Sequence, residues 1–112
     1  MLVLSPVLAQ RAPGVLLWWC PGCEEFHQVH TQEPNRCGAK WSWDGNAEAP
    51  TFSPSIHIHA YTPAEGDDPE FRFCCHTFVR NGVIQFLDDC THKLAGQTVP
   101  LPPLPTHGDQ DA

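Results

Sequence analysis

The stretch CHTFVRNGVIQFLDDC, residues 75 to 90, constrains this chain more than any other. Asn81-Gly82 separates two runs of alternating apolar and polar residues, the pattern of a β-hairpin closed by a two-residue turn. Such a turn fixes the register. Arg80 faces Val83, and the ladder then sets His76 against Leu87 and Cys75 against Asp88. Side chains alternate, so Cys75 and Cys90 share one face while His76 and Asp89 share the other.

The sulfur face has a partner early in the chain. Cys20-Pro-Gly-Cys23 places two thiols on a tight turn, a common half of a tetrahedral zinc site. The opening MLVLSPVLAQ is short, lacks a basic start and is interrupted by Pro6, so it does not read as an export signal. Thiols in a cytoplasmic chain stay reduced, which favours metal over disulfides. Register and spacing therefore predict one structural Zn2+ held by Cys20, Cys23, Cys75 and Cys90. Cys37, His27 and His92 remain open as replacements for one ligand, and a one-residue slip would exchange Cys75 for Cys74. The plain alternative is a set of unrelated buried thiols.

On the opposite face, a carboxylate at Asp89 can hold one nitrogen of His76 and leave the other free as a base. The alternative is a cross-strand hydrogen bond that only stabilises the hairpin. A base needs a nucleophile, and Thr51-Phe-Ser53-Pro-Ser55 offers stiff, pre-aimed hydroxyls. Ser55 is the first candidate and Ser53 the second, against the reading of serines that bond their own turn. His27 and His92 are further candidates for the base. His57 and His59 alternate with isoleucines in SIHIHAY and read as solvent-facing strand residues or a weak metal site.

The rest of the chain agrees with short strands and many turns. Among 112 residues there are 12 Pro and 8 Gly. The expected fold is mostly β: a small antiparallel sheet with a zinc-ribbon-like knuckle and a proline-rich C-terminal strap over Val99 to Pro105. Residues 1–105 read as a single zinc-stapled domain and 106–112 as a disordered tail, with Thr62 to Glu70 a solvated loop. A net charge of −7 with six Lys plus Arg argues against nucleic acid as partner, and no apolar run approaches the ~18 residues of a membrane span. Tryptophans 18, 19, 41 and 43 read as core packing rather than a base-stacking platform.

Taken together, CPGC, WSWDGN with APTFSPSI, and CHTFVRNGVIQFLDDCTHKLAGQTVPLP resemble a family of small bacteriophage and bacterial proteins classed as a domain of unknown function. The likeness covers roughly Trp18 to Pro102. Some members carry the label ammonia monooxygenase, which a chain without a membrane span does not support. Others are encoded beside bacterial ubiquitin-like conjugation enzymes and are regarded as peptidases. The resemblance implies a peptidase acting on ubiquitin-like C-termini or conjugates, with Ser55, His76 and Asp89 at its site and a substrate supplied in trans. In a phage setting the compartment is the host cytoplasm. Two other readings stand beside it: a non-catalytic zinc-stabilised module binding a host protein, and a zinc metallopeptidase with an open coordination position.

Overall fold

The computed structural model describes residues 1–62, 66, 67 and 71–105. The expected tail, 106–112, lies outside them, as does most of the expected loop before Phe71. Among the described residues there are nine strands and no helix, so none is long and apolar enough to cross a membrane.

The fold is the antiparallel, mostly β one expected, with its strands divided between two sheets where a single small sheet was expected. The first is β1 (Leu2–Val3), β2 (Ala9–Ala12), β3 (Val15–Cys20) and β4 (Glu25–His30), in that spatial order. The second is β5 (Ser42–Trp43), β6 (Phe52–Thr62), β7 (Phe71–Arg80), β8 (Val83–Phe86) and β9 (Thr98–Pro100), also in order. β3 lies inside its sheet, and its VLLWWC sequence is buried along nearly its whole length. That is why it reads as a continuous apolar run without alternation.

Trp18 of β3 stacks on Phe52 of β6, with ring centroids 5.3 Å apart and planes 22° from parallel. Both rings are buried, and around them Leu8, Leu16, Val29, Ile56, Val79, Ile84 and Phe86 form one apolar cluster drawn from both sheets. Trp19 is half-buried, as are Trp41 and Trp43 at the cluster's margin.

The β7–β8 hairpin has the register its turn dictates, with Arg80 opposite Val83 and Thr77 opposite Phe86. Asn81 and Gly82 both have positive φ, 51° and 79°, as a two-residue hairpin turn requires. β6 is less regular. Phe52 faces Val79 but Ile56 faces Thr77, so Ser53, Pro54 and Ser55 crowd opposite Phe78. This bulge falls on the FSPS step and lifts Ser55 out of the regular ladder. Thr98–Pro100 pairs with β8, and beyond it Leu101 is buried and bonds to the Gly82 carbonyl.

Candidate functional site

β7 carries both groups of chemistry-bearing residues. Cys75 faces Ile58 and is buried, whereas His76 faces His57 on the other side of the sheet and is 24% exposed.

On the outer side, Ser55 Oγ lies 3.1 Å from His76 Nε2, and His76 Nδ1 lies 3.1 Å from Asp89 Oδ2. A hydroxyl, an imidazole and a carboxylate thus stand in series. The bulge delivers the Ser55 hydroxyl to the imidazole; Ser53, the other serine open from the sequence, is exposed opposite Ser42. Asp89 is 53% exposed, and the hydrogen bond from His76 holds its carboxyl below the ordinary carboxylate value.

Two contacts steady His76 from outside this series. The imidazole of His57 stacks on it, centroids 4.4 Å apart and 21° from parallel. The Cys90 thiol accepts from the His76 backbone N–H at 3.2 Å and donates to the His76 carbonyl at 3.3 Å. Sequence reasoning missed the His57 contact, because the β6–β7 register is not set by a short turn. His57 Nε2 also lies 3.2 Å from Cys74 Sγ, a partly buried thiol whose pKa is raised by desolvation and by the charge of Asp89.

On the inner side, the ligand atoms of Cys20, Cys23, Cys75 and His92 all lie within 4.8 Å of one another. Cys90 stands outside this group, and His92 takes the place expected for it. The cause is a turn. The Cys90 N–H bonds back to the Leu87 carbonyl, so the chain leaves the β8 line after Leu87. Thr91 then bonds Cys74, and the extra chain taken up by the turn carries His92 to Cys75 and leaves Cys90 against His76. Neither Cys37, exposed in the β4–β5 loop, nor buried His27 joins the four.

The donor set fits a tetrahedral ion. Zinc–sulfur and zinc–nitrogen bonds of normal length put two sulfurs about 3.8 Å apart, and a sulfur and a nitrogen about 3.6 Å apart. Cys20 Sγ and Cys75 Sγ are 4.0 Å apart, and Cys75 Sγ is 3.5 Å from His92 Nε2. The Cys23 N–H points at Cys20 Sγ at 3.4 Å, closing the knuckle. A side chain at Gly22 would overlap the His92 ring, which is held edge-on to Phe86 at 4.8 Å. The thiols interact strongly. The hydrogen bond with Cys75 lowers the Cys20 pKa and raises that of Cys75, while burial and the Cys20 charge push Cys23 up. Nearby buried His27 also lowers the Cys20 pKa, to a lesser extent than Cys75.

Among the described residues, β7 thus carries a cysteine–histidine cluster that could hold a metal ion on one side and a serine–histidine–aspartate series on the other, the arrangement of residues that a serine hydrolase uses. The chain belongs to the bacterial ubiquitination-like system serine protease (BubE) family, whose model matches residues 4–87. That span takes in Ser55 and His76 and ends short of Asp89 and His92. No curated protein and no solved structure matches the chain.

Proposed function

We propose that this chain is a serine peptidase that hydrolyses the bond following a ubiquitin-like protein's C-terminal tail, in a precursor or a conjugate. The observation that carries the reading is the unbroken series from Ser55 Oγ through His76 to Asp89, each step 3.1 Å. Both distances fall within hydrogen-bond reach, which a general base must have to its nucleophile and to its orienting group.

In this reading Ser55 Oγ attacks the scissile carbonyl carbon as its proton passes to His76 Nε2. Asp89 accepts from Nδ1–H, fixing the tautomer and stabilising the imidazolium. His76 then gives the proton to the leaving amine, the C–N bond breaks, and the acyl group remains as an ester on Ser55. Water attacks the ester, losing its proton to His76, and the tail leaves as a carboxylic acid while Ser55 recovers its proton. Cys20, Cys23, Cys75 and His92 would hold one zinc ion. Four protein ligands leave no position for a reacting water, so the ion supplies structure rather than a nucleophile.

The test is Ser55→Ala assayed on a ubiquitin-like protein fused through its C-terminus to a second protein. Cleavage should fall by about 10⁴-fold or more, while Ser53→Ala retains most of it. Cleavage spared by Ser55→Ala would assign the reaction to the metal. A folded wild-type protein that cleaves no such fusion but holds a stable protein partner would make the chain a binding module.

A further inference from the structure

Beyond the nucleophile, β6 has an open edge. β5 pairs with it only at Phe52 and Ser53, and among the described residues no strand follows on that side. Hydrogen bonding on β7 tells which backbone groups point there. The amides and carbonyls of Cys74 and His76 are taken by Thr91, Cys90 and Leu87, away from β6. By alternation, Cys75 and Thr77 bond to β6 and receive Ile58 and Ile56, their register partners. Ser55, His57 and His59 therefore direct their backbone groups to the opposite edge. The Ser55 carbonyl confirms the direction, since it accepts from Trp41 Nε1 at 3.2 Å on that side.

This edge opens into a groove of about 710 Å³, walled across from β6 by Gln28 and the loop from Asn35 to Trp41. Lys40 lines it, and no carboxylate does. The groove begins at Pro54 and Ser55, where β5 and Trp41 close the edge, and runs along β6 as far as His59.

We propose that this groove binds the substrate's C-terminal tail as an added antiparallel strand on β6. The occupant is an extended polypeptide, because only a second backbone matches donors and acceptors repeating at every other residue. With the residue before the cut at Ser55, the third residue before it exchanges two hydrogen bonds with His57, and the fifth exchanges two with His59. The second and fourth residues turn their amides away from β6. Closure of the edge at Ser53 stops the added strand at the nucleophile, which selects cleavage at the end of a tail. This assignment rests on the serine peptidase reading for its direction.

The experiment uses the last eight residues of the ubiquitin-like protein of the same conjugation system, capped with an aminomethylcoumarin leaving group. Single N-methyl groups are placed at the second, third, fourth and fifth residues before the cut. Methylation at the third or fifth should raise KM about tenfold or more with little change in kcat, and methylation at the second or fourth should shift KM less than about twofold. The same series is titrated by fluorescence anisotropy against Ser55→Ala, which separates binding from turnover. Alternating losses of affinity without any cleavage by the wild type would sustain the groove and sink the peptidase reading. Cleavage with equal sensitivity at all four positions, or at none, would sink the groove alone, as would absence of binding to Ser55→Ala.

Discussion

The thiol of Cys90 bonds both the amide and the carbonyl of His76, at 3.2 and 3.3 Å. It clamps the backbone of the proposed base from the side opposite β6. A cysteine expected among the metal ligands thus stands against the backbone of His76 instead.

Cys90→Ala should lower kcat by roughly ten- to a hundredfold through loosened His76 geometry, with zinc content unchanged. Cys90→Ser should recover part of the loss, since a hydroxyl both donates and accepts. Metal analysis alongside kinetics checks this; a zinc-free Cys90→Ala protein would return Cys90 to the ligand set.

Asp89 gives a pH prediction. Its folded pKa is depressed by the hydrogen bond from His76. A depressed carboxyl contributes stability above its unfolded value and loses it as pH falls through the folded one. The carboxylate therefore stays charged until pH drops below the ordinary 3.8 of an aspartate. Between pH 7 and 5 Asp89 stays ionised, and no change in activity over that range should come from its protonation. Asp89→Asn should cut kcat/KM about a hundredfold across that whole range. A defect that vanished at pH 5 would contradict an ionised Asp89 there.

The metal cluster predicts one zinc per chain, with affinity falling as acid competes for the thiolates. Cys75→Ser and His92→Ala should lose the ion and unfold at lower temperature. Gly22→Ala is the sharper probe, because the new methyl displaces the His92 ring without removing a ligand. It should weaken zinc binding by roughly ten- to a hundredfold, read by competition with a chromophoric chelator.

Trp18 and Phe52 join the two sheets through one stacked pair. Truncation of either to alanine should destabilise the fold by about 3–5 kcal/mol, measured by urea denaturation of the zinc-loaded protein.

Legibility in the sequence tracked the length of the connections. The β7–β8 hairpin was readable to the residue because Asn81-Gly82 leaves one register. The placing of Asp89 beside His76 followed from it, whereas the company of Cys75 did not, since His92 and not Cys90 joins it. His92 stood among the possible replacement ligands, but its choice over Cys90 was not readable, because a turn over Leu87 to Cys90 takes up chain that strand alternation does not count. His57 against His76 was hidden for a related reason: the segment joining β6 to β7 is long enough to permit many registers. The division into two sheets was hidden as well. β1 and β2 are short, and Leu2 and Val3 are exposed, so neither strand carries a periodic signal. Ser55 was favoured over Ser53 by its place at the strand entry, but the bulge that aims its hydroxyl depends on the β7 register.

Cys75 and His76 are consecutive, and one peptide unit separates the sulfur side from the imidazole side. Adding or deleting a single residue between them and Asn81 would exchange the two sides outright, presenting the thiol to solvent and driving the imidazole into the core. The hairpin should accept many substitutions yet no change of length, so lineages of this chain should vary there in spelling and never in residue count.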